Sequence, residues 1–220
     1  MMAKQVIAID GPSGVGKGTV ARAVAEILDT TYVDTGAMYR TLAWKAISEG
    51  LSIDNESQME QLATRLRFVF DGRNVLIDGQ DVTEKIRTPE IDDAAAKMAK
   101  LSRVRAVLVE RQRAFADEGS VVMEGRDIGT VVLPDAVVKI FLDATPQERA
   151  LRRLRDTERG FTETTLRDVA RALEERDHAD RTRSVSPLTK ADDAILIDTT
   201  NISIAGVVET VISIIKEKCS

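Results

Sequence analysis

The chain has 220 residues, 43% of them hydrophobic and 30% charged, with a formal net charge of −5. These values fit one soluble α/β domain with room for a small inserted lobe, and they argue against a disordered chain or a general nucleic-acid binder. Cys219 is the only cysteine and His178 the only histidine, so an intrachain disulfide is excluded and a zinc site is not expected. The opening apolar run is too short for a signal peptide, and no later run is long enough to span a membrane. A cytoplasmic protein that binds neither membrane nor nucleic acid is the expectation.

The predicted elements alternate. "QVIAID" at 5–10 is a short branched apolar run, read as a buried strand that empties into a glycine-rich loop. Apolar residues at Val20, Ala21, Val24, Ala25 and Leu28 then follow helical spacing. "TYVDTGAMYR" at 31–40 gives a second strand, a turn at Asp34-Thr35-Gly36 and a helix to about Glu49. "RFVFDGRNVLID" at 67–78 breaks the rhythm: two β-like runs flank a four-residue Asp-Gly-Arg-Asn connection, which signals a hairpin. A hairpin cannot be a parallel crossover, so residues 52–101 are read as an insertion with its own sheet and helices; "DDAAAKMAK" within it is ordinary helix. "SVVMEGRD", "AVVKIFLD" and "AILID" are further buried strands. Thr145, Pro146 and Glu148 read as N-cap, first helical residue and capping-box partner. Ile204, Val207, Val208, Val211, Ile212 and Ile215 mark an amphipathic final helix. Such alternation implies a mostly parallel sheet with helices on both faces.

The loop after the first strand carries the chemistry. "GPSGVGKGT" at 11–19 approaches the pattern G-x-x-x-x-G-K-[ST], except that Gly18 stands where the hydroxyl belongs and Thr19 comes one residue late. A strand precedes the loop and a helix follows it, so backbone N–H groups and a positive helix end can surround a polyphosphate. Lys17 is placed to neutralise oxygens between the β- and γ-phosphates. The nucleotide-binding set is thus Gly11, Pro12, Ser13, Gly14, Val15, Gly16, Lys17, Gly18 and Thr19.

The variant loop resembles that of nucleoside monophosphate kinases, in which glycine follows the lysine and threonine comes next. "DTGAMYR" at 34–40, "VRAVLVERQRAF" at 104–115, "GRDIGTVVLPDA" at 125–136, "KIFLDA" at 139–144 and "ERDHADRTRSVSPL" at 175–188 narrow this resemblance to the bacterial cytidylate kinase family, from the first strand to the last helix. It implies a P-loop NTPase-type three-layer α/β fold. The core would be 1–51 and 102–220, the acceptor-binding lobe about 52–101 and a short lid about 149–162. It also implies ATP with Mg²⁺ as donor complex, the ion held largely by phosphates and water with Thr19 nearby, and CMP and dCMP as acceptors.

Roles follow the matched positions. Thr35, Arg105, Asp127 and Arg183 stand where the family contacts the cytosine ring, Arg176 and Asp180 where it contacts the sugar, and Arg40 and Arg126 at the acceptor phosphate. Residues 149–183 hold ten of the 21 arginines and no lysine. Arg149, Arg152, Arg153, Arg155 and Arg159 are therefore candidates for a lid that clamps the transferring group. Lys17, Arg126, Arg153 and Arg155 form the expected catalytic set, in a chain expected to be monomeric. Eight acidic residues share that stretch, so at least half of its arginines are expected to be structural. Asp34 reads equally as a helix cap, Asp127 also as the end of a strand, and Asp180 and Arg183 also as partners of each other. His178 reads as an exposed helix residue. Ala96 stands where relatives often carry a sugar-contacting serine, and Glu124 where they often carry aspartate. A kinase for another small acceptor, such as a different nucleotide or shikimate, and a non-catalytic ATP-binding module remain open. A GTP-binding switch lacks the Asn-Lys-x-Asp segment it would need.

Overall fold

A computed structural model describes residues 4–72, 74–156 and 166–219. Its main sheet uses β1 (Val6–Asp10), β2 (Thr31–Asp34), β6 (Val121–Gly125), β7 (Val138–Asp143) and β8 (Ile195–Asp198), in the order β2-β6-β1-β7-β8. β1 runs parallel to β7, with Ile9 opposite Ile140, and β7 runs parallel to β8, with Phe141 opposite Leu196. Ile7, Ala8 and Ile9 are fully buried, as expected of a central strand covered on both faces. Each such Ile or Val contributes about 1.5–3 kcal/mol through removal of its apolar surface from water.

The chain divides into two compact units, one of residues 1–30 and 122–220 and the other of residues 31–121. In the first, α1 (Lys17–Leu28) buries Val20, Ala21, Val24 and Ala25, and packs on α8 (Ile204–Lys218), which buries Val207, Val208, Val211 and Ile215. Ile204 itself is exposed, because it opens the helix before the apolar stripe turns inward. α6 (Pro146–Asp156) and α7 (Leu166–Thr182) pack together through Ala150, Val169 and Leu173.

The second unit gathers α2 (Thr35–Ser48), α3 (Glu56–Arg65), α4 (Pro89–Met98), α5 (Ser102–Glu118) and a small antiparallel sheet of β3 (Phe68–Asp71), β4 (Asn74–Ile77) and β5 (Gln80–Asp81). It is wider than the expected lobe 52–101. Met38, Leu42 and Ala46 of α2, with Val104 and Leu108 of α5, share one core with Met59, Leu62, Ile77 and Met98. The β3–β4 ladder continues to Asp71 opposite Asn74, so the outer residues of the expected connection are strand residues. β5 escapes the sequence reading. It follows a two-residue turn at Asp78 and Gly79, both with positive φ (49° and 81°), the conformation that Asp-Gly supplies at a tight hairpin.

Candidate active site

The loop after β1 is built around one backbone that cannot carry a side chain. Gly11 has φ 150°, and a Cβ there would lie 2.2 Å from the Leu142 carbonyl oxygen of β7. The loop ends at Gly16, the N-cap of α1, where no side chain caps the helix, so its first-turn N–H groups are directed at whatever anion sits there. Lys17 is buried and its Nζ donates to the Pro12 carbonyl at 2.8 Å. Burial, then the neighbouring positive charge of Arg126, push its pKa down to about 7, against the opposing pull of Glu124, Asp10 and Asp177. Ser13, expected among the phosphate-binding residues, has its peptide groups engaged elsewhere. Its N–H donates to Asp177 Oδ1 at 2.9 Å, and its carbonyl accepts from Arg149 Nη1 at 3.0 Å.

Asp10, which the sequence reading left as the end of a strand, ties the loop's base to the Gly-Arg-Asp segment. Its carboxylate accepts from Ile128 N–H at 2.8 Å and from Gly129 N–H at 2.7 Å. Burial pushes its pKa up to about 6 despite those two bonds. The N–H groups it receives open a π-helical turn, Ile128–Val132, in which Val132 N–H reaches the Asp127 carbonyl and Leu133 N–H the Ile128 carbonyl, five residues back. Turns of this kind recur at functional sites. Here it fixes the backbone next to Arg126 and Asp127.

Four of the expected site residues come together in the first unit as alternating charges. Arg126 Nε donates to Asp180 Oδ2 at 2.8 Å. Arg183 lies 3.6 Å from Asp180 on one side and 3.6 Å from Asp127 on the other, with its side chain and that of Asp127 buried. The mutual pairing of Asp180 and Arg183 is thus present, and Asp180 additionally orients Arg126. Arg176 is half-buried on α7, His178 is exposed as read, and Arg153 and Arg155 are exposed on α6. Arg159, and with it the part of the expected lid beyond residue 156, lies outside the described residues.

In the second unit Asp34 caps α2, accepting from Ala37 N–H at 2.8 Å, and its other oxygen accepts from Arg40 Nη2 at 2.9 Å. The capping reading holds, and the same carboxylate orients the expected phosphate ligand. Thr35 is buried on the first turn of α2. Arg105 is buried on α5, donates to the Ala99 carbonyl and places its Cζ over the Tyr39 ring at 5.6 Å, a cation–π contact. Ala96 is half-buried on α4.

The arginines of α6 divide into two structural ones and two exposed ones. Arg149, grouped with the lid by sequence, is buried; it forms an ion pair with Asp177 and donates to the Ala144 and Ser13 carbonyls. Arg152, also grouped there, donates to the Val15 carbonyl and to both oxygens of Thr199. Both brace the phosphate loop. The capping box is half-formed: Glu148 N–H reaches Thr145 Oγ1 at 3.4 Å, but Thr145 N–H donates to Thr200 Oγ1, and the Glu148 carboxylate accepts from Arg152.

A family model described as cytidylate kinase matches residues 7–217. The chain belongs to the cytidylate kinase family. It is 46% identical to a cytidylate kinase of Desulfitobacterium hafniense over 96% of this chain and 93% of that one. It is 47% identical to a cytidylate kinase of Bacillus cereus over 95% of each chain. A shikimate kinase from Bacteroides thetaiotaomicron shares the fold, with a TM-score of 0.52 over 97% of this chain and 99% of that one at 10% identity. The α/β architecture expected from the alternation of elements is therefore that of P-loop kinases.

Among the described residues of this cytidylate kinase family member, no helix is long and apolar enough to cross a membrane. For a divalent cation the loop offers the hydroxyl of Thr19, exposed on the first turn of α1. A hard oxygen donor there, two residues from the buried Lys17, fits an ion held mostly by phosphate oxygens and water, as Mg²⁺ prefers.

Proposed function

We propose that this chain transfers the γ-phosphoryl group of ATP to CMP and dCMP, yielding ADP with CDP or dCDP. The observation that carries the reading is the partly buried Arg126–Asp180–Arg183–Asp127 cluster, whose Arg126 lies within the electrostatic reach of Lys17 on the phosphate loop. Phosphoryl transfer asks for positioning and charge neutralisation more than for covalent chemistry. Lys17 and Arg126, joined by Arg153 and Arg155, supply cations for the transferring group. Thr35, Arg105, Asp127 and Arg183 read the cytosine, Arg176 and Asp180 the sugar, and Arg40 and Arg126 the acceptor phosphate. Planar guanidinium groups suit such oxygens because they donate in pairs. Mg²⁺, bound with ATP and with Thr19 as the protein's oxygen donor, would screen the phosphate charge. The enzyme is read as a cytoplasmic monomer.

ADP release measured against CMP, dCMP, UMP, AMP, GMP and shikimate tests the assignment. Turnover is expected to be greatest with the two cytidine nucleotides; a preference for any other acceptor overturns it. Position 96 bears on the choice between those two. Ala96 is half-buried on α4, and one added hydroxyl contact contributes about 0.5–1.5 kcal/mol net. Ala96→Ser is expected to shift the CMP/dCMP ratio of kcat/KM roughly two- to tenfold. An unchanged ratio would show that position 96 does not face the sugar.

A further inference from the structure

Asp177 is the most buried charged residue among the described residues of the first unit, at 1% exposure, and none of the substrate roles above uses it. It continues an apolar stripe of α7: Val169, Leu173 and Asp177 are spaced four apart and all buried. A carboxylate at such a position is costly unless charge and hydrogen bonds compensate it. Both do. Arg149 of α6 pairs with one oxygen, and the Ser13 N–H of the phosphate loop donates to the other at 2.9 Å. Arg149 then returns to the same loop residue through the Ser13 carbonyl at 3.0 Å. The peptide groups on both sides of Ser13 are thus held by one ion pair.

The loop also rests on these two helices by shape. A Cβ added at Gly14 would meet the Arg149 carbonyl at 3.2 Å, Arg149 Cβ at 3.3 Å and Leu173 Cδ1 at 3.5 Å. We infer that the Arg149–Asp177 pair positions the phosphate loop for its nucleotide: it pins Ser13 so that the N–H groups from Gly14 onward keep the curvature a polyphosphate needs. Neither residue touches the nucleotide in this assignment. Asp177 has a further consequence through its place in α7. It lies one turn before Asp180, which orients Arg126, and two turns before Arg183. One helix therefore registers the donor loop and the expected acceptor-reading side chains against the same backbone.

The inference rests on the donor being an adenine nucleotide, so the test measures ADP binding to the full chain by calorimetry, with no acceptor present. Absence of ADP binding by the unmodified protein would sink the proposed function. With binding established, Asp177→Asn is expected to weaken ADP at least about tenfold, since a charge-assisted bond to Ser13 is replaced by a neutral one beside an unpaired Arg149. Because that single change leaves a buried cation, the decisive variant is Asp177→Asn with Arg149→Met, which removes the pair as a whole and leaves no buried charge at either position. The double variant is expected to melt near the unmodified protein yet keep the weakened ADP affinity and a raised KM for ATP. Recovery of ADP affinity together with stability would show that the pair only supports the fold, and would overturn the inference.

Discussion

Lys17→Ala is expected to lower turnover with CMP by at least about two to three orders of magnitude while leaving the chain folded. The kinetic part follows from preorganised charge: a cation fixed where negative charge redistributes in the transition state is typically worth several kcal/mol. The folding part follows from burial. A lysine whose pKa is pushed down to about 7 is disfavoured as a cation in the native state. Its charge therefore destabilises the fold below pH 7, and that penalty fades as pH rises from 7 toward the ordinary lysine value. Truncation to alanine removes the penalty along with the apolar stem, so the melting temperature at pH 6 is expected to stay within a few degrees of the unmodified protein. Single-turnover and steady-state assays with CMP check the rate. Near-normal turnover in a folded variant would remove Lys17 from the mechanism.

The second large effect concerns base choice. Cytosine presents an amino donor and a ring-nitrogen acceptor, whereas uracil presents a carbonyl oxygen and a ring N–H. Asp127, buried and 3.6 Å from Arg183, can accept from the amino group but faces the uracil oxygen as a second acceptor. In the proposed assignment Arg183 and Arg105 would donate to cytosine's ring nitrogen and carbonyl, but could not donate to uracil's N–H. Each mispaired buried group costs about 1–3 kcal/mol, so two failures give at least about thirtyfold discrimination against UMP. Asp127→Asn is expected to reduce CMP turnover and collapse the CMP/UMP ratio of kcat/KM toward unity, because an amide can turn its N–H₂ toward uracil. The Asp127–Arg183 pairing makes some loss of stability expected as well, which a melting curve separates from the ratio. Equal losses for both nucleotides would place Asp127 at the phosphate instead.

The parts of the fold legible in the sequence are those with local signals. Each strand of the main sheet appears as a run of branched residues, and the loop at 11–19 and the Asp34 cap announce themselves within a few positions. β5 was missed although Asp-Gly at 78–79 marks its turn, because two residues of strand leave no alternation to read. The π-helical turn after Asp127 was missed because five residues show no period. Asp10 and Asp177 were missed, and Arg149 was grouped with the lid, for a different reason: the partners of Asp10 lie 118 and 119 residues away, and Ser13 lies 164 from Asp177. A sequence gives charge without saying where it is buried. Asp177 did leave one signal, a carboxylate on the stripe that Val169 and Leu173 begin. The capping box at Thr145 and Glu148 was legible as a motif but only half realised, since Arg152 competes for the glutamate.

β8 ends the strand order of the main sheet, and the consequence is colloidal. An edge strand offers its outward backbone groups to any passing strand, and a long apolar one nucleates aggregates. This one has only four residues, carries an exposed Leu196, and is bracketed by Asp192, Asp193 and Asp198. Asp193 is neutralised by Lys139, while the remaining carboxylates stand at either end of the strand, where a second copy in register would bring like charges together. A short edge flanked by acids is a poor template for a further strand, which offsets the hazard of the exposed Leu196.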